Sequence, residues 1–274
     1  MTTPPDFQIF TTLRYDPILL TIPSSSSYTH AGWNYTTPSP FYILPHHIDR
    51  LLNAATHFNL HNLPIITSPE ALTILSQTIL SQIPDPSSPA RVRISISSSG
   101  PLAITTAKIP STPLTNLFPK FLPPPPPDGS GRSSEKEEIF QVYIDSERIN
   151  PSEYTHFKTT KREIYDAARK RKGISLTDKK EVLIIDERGG GEVMEASITT
   201  PYFWRKGKWV TPRVTEKGDG GSWEGGQDGT SRRWALESGI VSEDKILVDS
   251  LKDGEECWLS NGARGFFLGK VIQG

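Results

Sequence analysis

Lys158 stands in a stretch, Tyr154–Lys172, whose residue types permit nucleophilic chemistry. Aromatic residues precede it, two threonines follow it, and Arg162 and Tyr165 come four and seven residues later. If a helix starts at the lysine, these two share its face, and the alanines, arginines and lysines beyond are good helix formers. The plain reading of so basic a segment is a solvated surface helix. The sharper reading is an amine at the positive end of a helix dipole, where the neutral, nucleophilic form is favoured. A lysine of that kind forms a Schiff base with an aldehyde or ketone.

Three other features bear on the choice. Glu195 ends a strand after a GGG turn, with the small residues Ala196 and Ser197 behind it. Thr230 and Ser231 open a helix directly after glycine, where unpaired backbone amides can hold a phosphate. Ser260-Asn261-Gly262 is a second turn of hydroxyl and amide groups. Singly, each is an ordinary strand-end acid, cap or turn. Together they supply what a pyridoxal phosphate site needs: a lysine for the aldehyde, an acid facing the pyridine nitrogen, and donors for the phosphate.

The elements that must carry these groups are legible in outline. Phe7–Arg14 and Arg91–Ser97 alternate as strands, and Leu102–Lys108 does so more loosely after an SSGP turn. Ile48, Leu51, Leu52, Ala55 and Phe58 recur at helical spacing, and Arg50 in that segment reads by itself as a surface arginine. Ser68-Pro69-Glu70 predicts a helix start for Ala71–Ile83. Phe118–Lys136, with five successive prolines and a Gly/Ser run, predicts an exposed flexible insertion. Glu181–Asp186, Glu192–Ser197, Tyr202–Trp204, Lys208–Val210, Lys245–Val248 and Cys257–Ser260 read as strands, and Asn261–Gly265 as a tight loop. The expected architecture is two α+β halves, residues 1–150 and residues 151–274, with a link near 146–157 and the Pro-rich insertion near 118–137 disordered.

Composition closes off other classes. At 274 residues with net charge −1, the chain has no global electrostatic case for nucleic acid or an acidic membrane. Cys257 is the only cysteine, which leaves no disulfide framework and fits a reducing, cytoplasmic compartment. His57 and His61 stand four apart without a third ligand, so no metal site is expected. No apolar run approaches the roughly 20 residues that span a bilayer, and the first residues lack the pattern of a signal peptide.

The motifs, taken in order, resemble the class IV aminotransferase family, pyridoxal-phosphate enzymes of fold type IV. They are FTTLR (Phe10–Arg14), HIDRL (His47–Leu51), RVRISIS (Arg91–Ser97), FKTTKREIY (Phe157–Tyr165), VMEAS (Val193–Ser197), TPYFWRKGKWVTP (Thr200–Pro212), GTSRRW (Gly229–Trp234) and LSNGARG (Leu259–Gly265). The resemblance implies a smaller N-terminal α/β sandwich domain and a barrel-like C-terminal domain. It implies Lys158 as the Schiff-base lysine, Arg50 on the cofactor phosphate and Glu195 on the pyridine nitrogen. Thr230 and Ser231 match the phosphate turn, Ser260 and Asn261 a second phosphate or substrate turn. Arg14 and Tyr165 fall at positions near the substrate. Departures exist: the family's N-terminal hairpin is missing, Thr200 stands for its usual asparagine, and Ala196 for a glycine.

Within the family, the KTTxRxxY form around Lys158 is most similar to the 4-amino-4-deoxychorismate lyases, which release pyruvate and leave 4-aminobenzoate, a folate precursor. The alternative is an aminotransferase acting on branched-chain or D-amino acids, with the same lysine moving the proton. A binding protein that kept the fold but lost turnover predicts a broken lysine or glutamate, and both are present. The resemblance also implies a homodimer acting on a small molecule.

Overall fold

The computed structural model describes residues 7–60, 63–97, 102–126, 139–188, 190–215 and 223–273. The chain forms two compact units, Met1–Phe118 with Phe157–Lys161 and Gly262–Gly265, and Pro119–His156 with Arg162–Asn261 and Phe266–Gly274.

The first unit is built on a three-stranded antiparallel sheet of β1 (Gln8–Tyr15), β2 (Ala90–Ser97) and β3 (Ala103–Lys108), in that order. The β1–β2 register runs from Gln8↔Ser97 to Tyr15↔Ala90. Ile9, Thr11 and Leu13 are wholly buried on one face of β1. Helix α1 (Leu44–His57) packs on that strand through Ile48, Leu51, Ala54 and Ala55. It begins before His46 because Ile43 takes a left-handed turn (φ 46°) and Pro45 fits the first turn, where its missing N–H is harmless. Helix α2 (Ala71–Leu80) is capped by Glu70 with no side-chain hydrogen bond, so Ser68 does not cap it as expected. The SSGP turn falls outside the described residues.

The second unit holds eight strands, ordered β6-β5-β4-β11-β10-β7-β8-β9. These are β4 (Phe140–Ile149), β5 (Lys180–Asp186), β6 (Val193–Ala196), β7 (Thr200–Arg205), β8 (Lys208–Pro212), β9 (Ser242–Asp244), β10 (Glu256–Asn261) and β11 (Gly265–Ile272). β4 pairs in parallel with both β5 and β11. The Val193 N–H donates to Ile246 O at 2.8 Å, which ties β6 to the segment after β9 and curls the sheet toward closure. β7 and β8 turn through Lys206 and Gly207, both at positive φ, the two-residue hairpin that right-twisted strands favour. Helix α3 (Glu163–Arg171) covers one face, its Tyr165 and Ala168 packing with Ile174, Val182, Ile184 and Met194. Helix α4 (Thr230–Glu237) ends at Gly239, whose φ of +70° suits glycine.

β4 lies before residue 150 and hydrogen-bonds in the second sheet. Three expectations are corrected. The insertion is not loose from its first residue: Phe118 and Leu122 are buried, and Trp209 Nε1 donates to Leu122 O at 2.8 Å. Its residues 127–138 lie outside the described residues. Lys245–Val248 is not a strand, since β9 ends at Asp244. The chain after Asn261 returns as β11, a strand the sequence did not announce.

Candidate active site

No helix starts at Lys158. Residues 157–161 lie along β1, and α3 begins only at Glu163. The Phe10 N–H donates to Lys158 O at 2.9 Å, the Thr160 N–H to Gln8 O at 2.9 Å, and Thr159 bridges Ile9. The Gln8 N–H in turn donates to Thr160 Oγ1 at 2.9 Å. The two threonines are therefore edge-strand residues, for which a β-branched side chain is suited. The dipole account of Lys158 falls with the helix, and what remains is a rigid backbone around a half-buried amine. Lys158 Nζ lies 5.1 Å from the Phe10 ring. Phe157, one residue earlier, stacks on His57 of α1 at 4.4 Å between ring centres.

Arg50 is half-buried on α1, in the same unit. One turn earlier, His47 is wholly buried, its Nδ1 at 2.7 Å from Thr11 Oγ1. Gly262 sits against it: a Cβ there would meet His47 Cε1 at 2.6 Å and Thr12 O at 2.9 Å. The Arg14 N–H donates to Gly262 O at 2.9 Å. The side chain of Arg14, expected near the substrate, is 1% exposed and engages Asp16 Oδ2 (Nε, 2.8 Å), Ala263 O (3.2 Å) and Pro110 O (2.8 Å). A buried guanidinium so committed ties β1 to the turn carrying Gly262.

In the second unit, Glu195 on β6 is 7% exposed, and Tyr165 Oη donates to its Oε1 at 2.5 Å. Tyr165, expected near the substrate, is itself wholly buried and is a hydrogen-bond partner of the Glu195 carboxylate. Burial and then the Glu195 charge push its phenol well above the ordinary range. Arg162 lies 4.4 Å over the Tyr165 ring and donates through Nη2 to Ser197 O at 2.5 Å. From the other side comes Gly226, where a Cβ would meet Glu195 Cδ at 2.4 Å.

The turn after Glu195 is anchored by a buried network. Glu181 Oε2 accepts from Thr199 Oγ1 (2.9 Å) and the Ile198 N–H (3.2 Å), and Oε1 accepts from Ser197 Oγ. Arg169 Nη1 donates to Ser197 Oγ at 2.8 Å and lies 3.4 Å from Glu181 Oε1.

The two hydroxyl turns meet in this unit. Ser231 and Ser260 are 2.8 Å apart through their Oγ atoms, and Ser260 Oγ is 2.8 Å from Tyr202 Oη. Gly229 is the N-cap of α4 and brings no side-chain cap. Thr230 is 1% exposed and its Oγ1 has no hydrogen-bond partner among the described residues. A buried, unpartnered hydroxyl at a helix N-terminus fits an anion. Thr200 stands against this turn: a Cβ on Gly229 would meet its Oγ1 at 2.7 Å. Asn261 Nδ2 reaches Ile198 O at 3.5 Å.

Sequence reading missed Gly226, His47, Gly262, and the Arg169–Glu181 pair. The glycines were legible only as loop residues, because a close approach is made by a partner distant in sequence. Among the described residues, no group of three His, Cys, Asp or Glu is placed to hold a metal, and His61 lies outside them. No helix among them is long and apolar enough to cross a membrane.

Gly226 offers a direct test of the Glu195 geometry. Gly226→Ala places a methyl on the carboxylate and forces the side chain off its rotamer. The expected result is at least a tenfold loss of turnover with a cost of about 1–3 kcal/mol in stability, the range for overpacking. Steady-state kinetics beside thermal melts check it, and unchanged kinetics disprove the close approach.

The sequence model of the family described as amino-transferase class IV matches residues 32–270. The aminodeoxychorismate lyase of Saccharomyces cerevisiae is 32% identical over 146 residues, 48% of this chain and only 37% of the yeast protein. Among solved structures, a Mesorhizobium loti protein described as an amino-acid aminotransferase has a TM-score of 0.64 at 19% identity, covering 97% of this chain and 100% of that one. A hypothetical aminotransferase from Mycobacterium tuberculosis in its PLP-bound form has a TM-score of 0.59 at 14% identity, covering 97% and 81%. These two likenesses are likenesses of fold, and the fold is the two-part α+β arrangement expected from the motifs.

Proposed function

Because this chain belongs to the class IV aminotransferase family, a family of pyridoxal-phosphate enzymes, we propose that it is a 4-amino-4-deoxychorismate lyase. The observation that carries the substrate class is the 32% identity to the yeast aminodeoxychorismate lyase over 146 residues. The residues present fit the cofactor. A buried carboxylate held by a phenol suits a protonated pyridine nitrogen. The buried, unpartnered Thr230 hydroxyl at an uncapped helix start suits a phosphate.

When bound, pyridoxal phosphate supplies an electron sink for the carbon next to the substrate nitrogen. Lys158 would hold the aldehyde and, as general base and acid, would move the proton at the reacting carbon. Arg50 and the amides of Thr230 and Ser231 would hold the phosphate, and the turn at Ser260 and Asn261 the phosphate or the substrate. Glu195 would keep the ring nitrogen protonated. In the overall reaction the ring C–O bond breaks, the ring proton ends on the departing enolpyruvyl group, which becomes pyruvate, and the ring left behind is the aromatic 4-aminobenzoate. The proposal includes a homodimer, from the family resemblance, and a cytoplasmic setting, from the single buried cysteine.

The second reading is amino-group transfer to a 2-oxo acid, the reaction after which the family is named. One experiment divides the two. Purified protein, yellow with cofactor, is incubated with aminodeoxychorismate and no 2-oxo acid. Continuing release of pyruvate and 4-aminobenzoate establishes the lyase. Stoichiometric bleaching by amino acids, reversed by 2-oxoglutarate and without pyruvate from aminodeoxychorismate, establishes the aminotransferase. A protein that stays colourless with added pyridoxal phosphate overturns both.

A further inference from the structure

Tyr165 is a wholly buried phenol whose Oη lies 2.5 Å from Glu195 Oε1. A carboxylate withdrawn from water favours its neutral form, since burial penalises charge. A neutral acid at that position cannot hold the proton on a ring nitrogen. Something local must oppose the burial, and the groups around Glu195 can be taken element by element. From α3 comes the phenol of Tyr165. From the residue before α3 comes the Arg162 guanidinium, spread over the Tyr165 ring and hydrogen-bonded to Ser197 O. From the loop preceding α4 come Gly226, which has no charge, and Gln227, whose side chain hydrogen-bonds with Tyr165. From β5 comes Ile184, the register partner of Glu195, which is apolar. Of the groups named here, Arg162 carries a charge, and it acts through the tyrosine ring.

We propose that Tyr165 is a positioning residue that keeps the buried Glu195 carboxylate ionised and fixes its orientation by donating a hydrogen bond to Oε1. A donor to the charged form of an acid favours that form, and a charge-assisted O–H···O⁻ bond is the strong type. The phenol remains a donor because burial, and next the Glu195 charge, raise it well above its ordinary value. Arg162 and Gly226 keep the pair in register, one above the ring and one behind the carboxylate. The inference rests on Glu195 being the partner of the ring nitrogen, but its direct claim concerns the acid itself.

Tyr165→Phe isolates that claim. The ring, its contact with Arg162 and its packing on Ala168, Val182 and Met194 are kept, and only the donor goes. The primary measurement is the carboxyl titration of Glu195 by 13C NMR on cofactor-free protein, its resonance identified by loss in Glu195→Gln. The expected result in Tyr165→Phe is a midpoint raised by about one unit or more. Site-specific 3-fluorotyrosine at 165, a stronger donor with the same shape, lowers the midpoint and serves if the Phe variant does not fold. On cofactor-loaded protein, the acid limb of kcat/KM moves in the same direction as the midpoint in each variant. A midpoint unchanged in both variants overturns the proposal, and so does a fall in Tm without a midpoint shift. Because the titration needs no cofactor, a wild type that fails to take up pyridoxal phosphate overturns the proposed function and leaves this claim decided separately.

Discussion

Lys158→Ala abolishes turnover, a loss on the order of 10³-fold or more, as removal of a covalent group does elsewhere. Its effect on folding is small, within about 0.5 kcal/mol for a side chain that fills no core position. The reason lies in the division of labour within the residue. The carbonyl of Lys158 accepts from the Phe10 N–H, and the neighbouring Thr159 and Thr160 complete the pairing with β1. Alanine retains all of that. The side chain is half-exposed. Assays of turnover, together with circular dichroism and a melt, separate the two effects. Borohydride treatment of the yellow wild type must place the cofactor on Lys158 and on no other lysine. Residual turnover in the variant above about one per cent, or a mass label elsewhere, removes Lys158 from the chemistry.

Glu181→Leu has the largest expected cost in stability, about 3–5 kcal/mol, the range for leaving one member of a buried ion pair without its partner. Glu181 is 1% exposed and Arg169 is 4% exposed, so water cannot take over the lost interactions. Leucine also strips acceptors from Ser197, Ile198 and Thr199 at once. These residues form the turn directly after Glu195, so the damage is not confined to the melting temperature. Denaturant unfolding of the variant reads the stability. An Arg169→Met, Glu181→Leu double variant checks the cause, because removing both charges restores much of the loss when an uncompensated charge is what costs. A single variant within 1 kcal/mol of wild type refutes the buried-pair account.

What the sequence made legible, and what it hid, follows from the range of the interactions involved. Glu195, Thr230, Ser231 and Ser260 stand out by local pattern as candidates, since a strand end, a helix start after glycine and a tight turn are set by neighbours in the chain. Tyr165 was visible as a residue, but its partner lies thirty positions away by number, and spacing along a presumed helix pointed it toward the lysine instead. The presumed helix failed for a related reason. Lys158-Thr159-Thr160 has no strong local preference, and pairing with a strand near residue 9 decided its conformation. Arg14 sits in a motif shared with the family, yet its partners Pro110 and Ala263 come from distant segments. The strand β11 was missed because neither the apolar residues of GFFLGKVI nor their burial follow strict alternation.

That last strand sits between β4 and β10 in the sheet order. Until residues 265–272 are in place, the sheet is left with two separate edges, one on β4 and one on β10. The contacts that join them span more than a hundred residues, pairing Phe140–Tyr143 with Gly269–Ile272. Non-local parallel pairing of this kind is slow to form, and open edges recruit other chains while they wait. Chaperone access during folding is thus expected to bear on the yield of this protein.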